Sequence, residues 1–283
     1  MSVQRRGGVL IRDNMARKQE LNETIDGFSL FDDDFMGIVF DRNVEATEFL
    51  LNTILERDDI EVLEVIGQRE YKNAVIGGRS IRIDIFARDS TSKIYDIEVQ
   101  GSAEGADVHR ARFNSSMIDT RMLKEGQKFK ELHESYVIFI AKNDVMGSGL
   151  PLYHIERVVK ETGLPFGDGS QIIYVNGSYK NEHDPIGKLV HDFKCEKSKD
   201  VYNPILAKQL HYFKETEGGR AIMCKAVEEL AGKWAARSAE ESRLDTIVVN
   251  LKSIMKSMSY TLEQAMDVLE ISEDDRAVLL KRF

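Results

Sequence analysis

Two carboxylates and an amide stand in neighbouring strand-like segments of this chain. Asp84 lies in Ile81-Arg82-Ile83-Asp84-Ile85-Phe86, and Glu98 and Gln100 lie in Ile94-Tyr95-Asp96-Ile97-Glu98-Val99-Gln100. Side chains alternate across a strand with period two, which predicts Ile81, Ile83 and Ile85 on one face and Asp84 on the other. In the second segment Tyr95, Ile97 and Val99 share a face, and Asp96, Glu98 and Gln100 share the opposite one. The link Asp89-Ser90-Thr91-Ser92-Lys93 is turn-rich and short enough to close a hairpin. An acid on one strand and a Glu-x-Gln pair on the next then converge on one patch. Such an oxygen-rich set suits a hard divalent cation such as magnesium. A hairpin with one solvated face gives the same alternation. Aspartate is depleted from strand interiors, however, and Asp84 between isoleucines carries a cost that asks for a reason.

The rest of the composition narrows the setting. At 283 residues the chain has room for one large domain, or one domain with a smaller appendage. No apolar run is long enough to cross a bilayer. A net charge of −9 argues against wrapping nucleic acid with the whole surface, though not against a local basic strip beside an acidic centre. Cys195 and Cys224 are far apart and in no paired motif, so neither a disulfide framework nor a zinc site is expected, which fits a reducing cytoplasm. The histidines show no metal-binding spacing, and none is assigned to metal. Residues 1–30 read as a disordered leader, with Val9-Leu10-Ile11 too short for a signal peptide.

The elements that must position the acids follow from periodicity and punctuation. Asp32-Asp33-Asp34 is an acidic helix start ahead of Phe35 to Phe40, and a second helix is expected from about Val44 to Leu55. A strand over Glu61–Gly67 and a second run ending near Ile76 precede the Gly77-Gly78 turn. After the hairpin, a helix from about Ala106 to Lys124 carries Ala111, Ile118 and Met122 on one side. Arg110, Arg121 and Lys124 fall on a neighbouring side, either a solvated face or a phosphate-facing strip. Tyr136–Ala141 reads as a strand buried on both faces, 143–170 as loop, and Ile172–Val175 as a last strand. From Pro185 the pattern is helical: Asn203–Glu215, Gly219–Ile254, then two short helices announced by Thr261-Leu262-Glu263-Gln264 and Ser272-Glu273-Asp274-Asp275. Leu262, Ala265, Val268, Leu269 and Leu279 are the expected core of that end. It reads as a packing or dimerisation module, or as a helix-turn-helix reader.

The order helix, strand, strand, strand, helix, strand, with Asp on the second strand and Glu-x-Gln on the third, resembles the PD-(D/E)XK nuclease superfamily. More closely it resembles its recombination-promoting nucleases, the PD-(D/E)XK family transposases. The resemblance rests on Asp32–Met36, Ala46–Leu51, Gly78–Asp84, Tyr95–Gln100, Arg110–Ser116 and Tyr136–Ile140 with Asn143-Asp144. It implies an α/β fold: a restriction-endonuclease-like core with a mixed central sheet flanked by helices, spanning 31–195. A helical extension over 196–243 and a small helical module over 244–283 would follow.

The resemblance also implies roles. Asp84 and Glu98 would ligate magnesium, or manganese in its place, with the Val99 carbonyl completing the set. Gln100 stands where the superfamily usually has lysine; it can hold a water but supplies no charge. Glu48 matches an accessory acid, though a solvated helix glutamate reads equally well. Arg82, Arg110, Arg112, Arg121 and Lys124 are the candidates for contact with DNA. The implied activity is metal-dependent hydrolysis of DNA by a cytoplasmic endonuclease, with no membrane partner and a homodimer through the helical C-terminal region. The alternative is a nuclease fold kept as a DNA- or partner-binding module with little or no hydrolysis.

Overall fold

A computed structural model of the chain describes residues 19–283 other than 74, 76, 102, 103 and 281. The leader expected over 1–30 lies outside the described residues as far as 18. From there the chain is helical over 19–27 (α1), and Ile25 is fully buried. The buried Lys214 ammonium donates to the carbonyls of Asp26 and Phe28 at 2.7 Å each, which ties this segment to the body.

Helix α2 (Asp33–Phe40) and helix α3 (Val44–Ile54) follow, the latter capped by Asn43, whose side chain accepts from Ala46 N at 3.2 Å. Ala46, Leu50, Leu51 and Ile54 form its buried stripe. Strand β1 (Val62–Tyr71) is continuous across the break expected after Gly67. Gly67 is there for a close approach: a Cβ on it would stand 2.7 Å from the Gly37 carbonyl of α2. The hairpin is β2 (Ile81–Asp89) and β3 (Ile94–Gln100), and Asp89 fixes its turn by accepting from Thr91 N and Lys93 N at 2.9 Å each. Helix α4 (Val108–Met122) crosses over to β4 (Ser135–Ala141), a strand buried at every position.

The stretch expected as loop over 143–170 holds three short strands: β5 (Leu152–Ile155), β6 (Val158–Val159) and β7 (Leu164–Pro165). β5 is a half-exposed edge strand of four residues, too short to leave a clear alternation in sequence. β8 (Ser170–Asn176) completes a six-stranded sheet of order β1-β2-β3-β4-β8-β5. β3, β4 and β8 run parallel and the remaining pairs antiparallel, so the sheet is mixed. Helix α4 covers one face through Ala111, Met117 and Ile118 against Val137, Phe139 and Tyr174.

Helices α5 (Pro185–Lys194) and α6 (Pro204–Glu215) begin at capped prolines and pack beside α3. Helix α7 (Glu217–Met258) then runs for 42 residues. The chain divides into two compact units, one ending at Ala221 and one from Ile222, so the division falls inside α7. The second unit holds the rest of α7, α8 (Leu262–Val268) and α9 (Glu273–Leu279) around Leu244, Leu251, Ala265, Met266 and Leu279. Val268, expected in that core, is exposed and Met266 is buried instead. Positions 262, 265, 266 and 269 make the stripe of a helix with 3.6 residues per turn, and Val268 falls off it.

Candidate active site

The sheet forks at the acids. β2 and β3 pair from Arg88↔Ile94 to Ile85↔Ile97 and no further. Beyond that point β2 stays paired with β1 as far as Ile81, and β3 with β4 as far as Gln100. Asp84 is the first residue past the last rung. The N–H and C=O of one strand residue leave by the same edge. Gln100 O accepts from Lys142 N at 2.9 Å on the β4 side, so Val99, one residue earlier, offers both its groups to the fork. Its N–H is taken by Asp84 Oδ2 at 3.1 Å, a carboxylate standing in for the missing rung.

The opposite neighbour of Asp84 is also irregular. The register Gly67↔Ile85 and Arg69↔Ile83 sets Gln68 across from Asp84, and Gln68 has φ +53°. A left-handed conformation at a non-glycine residue costs about 1 to 2 kcal/mol. The Gln68 side chain donates to Asp34 Oδ1 at 3.1 Å. Ile83 and Phe86, three positions apart, join one apolar cluster, so the strict alternation expected from Ile81 to Phe86 slips by one here. Strain and irregular pairing of this kind concentrate at functional sites.

Glu98 is fully buried and surrounded by donors. Arg110 Nη2 forms an ion pair with Oε2, Gln100 Nε2 donates to the same oxygen at 3.4 Å, and Asn114 Nδ2 donates to Oε1 at 3.4 Å. Asn114 also donates to Asp96 Oδ2 at 3.0 Å. Arg110 is anchored by its second nitrogen on Gly105 O at 3.0 Å. A Cβ on Gly105 would overlap the Gln100 amide oxygen, so this glycine leaves room for that side chain.

Electrostatics set the three acids apart from ordinary carboxylates. Burial, then the charge of Glu98, pushes Asp84 up to about 8, against the pull of the Val99 N–H. Burial also raises Asp96 and Glu98, and each is affected by the other. Asp96 Oδ1 is buried with no hydrogen-bond partner. Three carboxyl groups here share too few donors to be ionised together, so the metal-free site favours protons, and a cation in their place would relieve the crowding. An all-oxygen donor set of Asp84, Glu98 and the Val99 carbonyl fits magnesium or manganese by its chemistry.

The remaining expected site residues are placed as follows. Glu48 accepts from Val62 N at 2.9 Å, and Val62 pairs with Asp89. Asp89 is five residues from Asp84, roughly 17 Å along the strand, so Glu48 does not join the other acids. Arg82 is half-exposed and stands 3.7 Å from Asp33 Oδ2, and the charge of Asp33 in turn acts on Asp84. Arg112 and Lys124 are exposed on α4 and just beyond it. Arg121 is tied to Lys72 O and lies 5.4 Å above the Tyr71 ring.

Asp33, Asp96 and Asn114 are the neighbours that sequence reasoning gave no site role. Asn114 had a signal, since it follows Arg110 by four residues and so shares its helix face. Asp33 lies in the Asp32–Met36 stretch of the resemblance, but its approach to Asp84 depends on α2 packing on β1 and β2, contacts distant in sequence.

Comparison with characterised proteins and with solved structures returned no match. The family model described as PD-(D/E)XK nuclease family transposase matches residues 40–185, just over half of the chain, including both strands of the fork and α4. With its mixed six-stranded sheet flanked by helices, the chain belongs to the PD-(D/E)XK nuclease family transposases.

Proposed function

We propose that the protein is a magnesium-dependent DNA endonuclease of the recombination-promoting, transposase type. The observation that carries this reading is the fork, where Asp84, Glu98 and the Val99 edge meet with more carboxyl oxygen than the surrounding donors serve. Asp84, Glu98 and the Val99 carbonyl would hold the metal, with manganese an alternative occupant. A bound divalent cation would supply a Lewis acid for the scissile phosphate and a more acidic water.

The chain's own groups do the rest. Gln100 orients the attacking water through its amide, without adding charge. Asn114 fixes the Glu98 and Asp96 carboxylates from behind. Arg110 brings a guanidinium to the metal ligand Glu98, which places one positive charge beside the position of the phosphate. Arg82, Arg112 and Lys124 are the exposed cations for the DNA backbone, and Arg121 keeps the end of α4 on β1. Cytoplasmic residence fits the cysteine usage, and a homodimer through the C-terminal unit would supply the second active site for paired strand cuts.

Purified protein with magnesium should cut plasmid DNA, and Asp84→Ala should abolish cutting while leaving the circular dichroism spectrum unchanged. Equal cutting by both proteins rejects the site. The Gln100–Glu98 hydrogen bond favours a second reading, a nuclease fold that binds DNA or a partner and hydrolyses little. Calorimetric titration separates the two, because such a module has no magnesium site that depends on Asp84.

A further inference from the structure

We propose that His191, Asp192 and Cys195 form a second metal site, built for a borderline-soft divalent cation such as zinc. The three residues close α5 in a His-Asp-x-x-Cys pattern, beyond residue 185 where the family match ends. Cys195 Sγ lies 3.7 Å from His191 Nδ1, and the same nitrogen lies 3.3 Å from Asp192 Oδ1. Among the described residues, this is the group of histidine, cysteine and acidic side chains whose ligand atoms all fall within 4.8 Å of one another. Tetrahedral zinc, with bonds of about 2.3 Å to sulfur and about 2.0 Å to nitrogen and oxygen, spaces S and N about 3.5 Å apart and N and O about 3.3 Å apart. The two spacings found here therefore agree with a coordinated set to within a few tenths of an ångström.

Each ligand is also held from outside. Asp192 is almost wholly buried; Oδ1 accepts from Tyr202 N at 2.7 Å and Oδ2 from Asn203 N at 2.9 Å. Such outer hydrogen bonds orient a ligating carboxylate and leave it a lone pair for the metal. The His191 ring is stacked on Tyr202 with centroids 4.1 Å apart. Cys195 N donates to Asp192 O at 3.2 Å, which turns the cysteine back toward the helix end. His191 keeps 28% of its side-chain surface exposed, which gives the cation a route in.

The charges balance as well. Cys195 releases its thiol proton to solvent on binding, and a dication with one thiolate, one carboxylate and a neutral imidazole sums to zero. That offsets the cost of burying Asp192 as an ion. The site would clamp the end of α5 to the start of α6. Its sulfur and nitrogen ligands set it apart from the all-oxygen fork, which favours magnesium.

The test uses cobalt(II) as a spectroscopic substitute, added to the full chain after chelator treatment. Expected is a sulfur-to-cobalt charge-transfer band in the near ultraviolet that saturates at one equivalent and is displaced by zinc. The band should vanish in Cys195→Ser and in His191→Phe, a change that keeps a ring on Tyr202. It should persist in Asp84→Ala, and Asp192→Asn should weaken binding by about tenfold or more. Absence of the band at stoichiometric cobalt overturns the proposal. So does a band that survives Cys195→Ser, or one that follows Cys224→Ser or Asp84→Ala instead. If Cys195→Ser fails to fold, a full-strength band in His191→Phe has the same force.

Discussion

Replacing Asp84 by asparagine should make the metal-free protein more stable at neutral pH while removing the proposed magnesium site. Asp84 titrates at about 8 in the folded chain, against 3.8 for an ordinary aspartate, chiefly through burial and then through the charge of Glu98. The folded state therefore holds a proton that the unfolded chain has released across the window from about pH 4 to about pH 8. Stability that this group contributes is present below the lower value and is lost as pH rises through the upper one. At pH 7 the difference spans about three pKa units, an upper bound of about 4 kcal/mol at 1.36 kcal/mol per unit. Relaxation and water entry reduce this to about 2 to 3 kcal/mol. Asparagine has the same shape and keeps an oxygen for the Val99 N–H, so the substitution removes the titration and little else. Urea denaturation in chelator at pH 5, 6, 7 and 8 reads the effect. Wild type should lose stability with pH more steeply than the variant, by up to about 1.4 kcal/mol per pH unit. Magnesium at a hundred times its dissociation constant should then add about 2.7 kcal/mol to wild type and nothing to the variant. Parallel pH profiles, or a variant less stable than wild type at pH 7, would refute the account of a charge-crowded fork.

Asn114→Ala removes the amide that donates to Asp96 and Glu98, at an expected cost of about 1 to 3 kcal/mol. That amide holds Asp96 toward its charged form, so denaturation midpoints should fall further at pH 8 than at pH 5, and an equal loss at both would contradict the assigned role. Lys214→Met takes away the ammonium that bonds the carbonyls of Asp26, Phe28 and Glu196. A loss of about 2 to 4 kcal/mol is expected, with faster amide exchange over 19–28, and unchanged exchange there would count against this tether.

Much of the frame was legible because it is written locally. Leu50 and Ile54 of the expected stripe Phe49, Leu50, Ile54 and Leu55 are buried at helical spacing, Asp89 to Lys93 carry turn chemistry, and Tyr136 to Ala141 form an unbroken apolar run. Each of these appears as expected, to within a residue or two at the ends. The same local logic brought Asp84 and Glu98 onto adjacent strands. It failed where the signal was too short or too distant. Four residues of β5 leave no period to read, and α1 is held by Lys214, 188 residues away from Asp26.

The fork itself shows why a site can be half visible in sequence. Alternation reports which face a side chain takes, but a paired strand and a parted strand have the same period, so nothing in Ile81–Phe86 says where the rungs stop. Where the β2–β3 ladder ends, Gln68 of β1 is left-handed across from Asp84 and α2 comes in at Gly67, both with partners more than twenty residues away in the chain. The cost is recorded partly in the sequence and partly in the fold. An aspartate between isoleucines, a glutamine at positive φ and three buried acids near one arginine all reduce stability, and no packing need of the fold calls for any of them. His191, Asp192 and Cys195 match no paired-ligand motif, although the four-residue step from His191 to Cys195 is the spacing of one helix face.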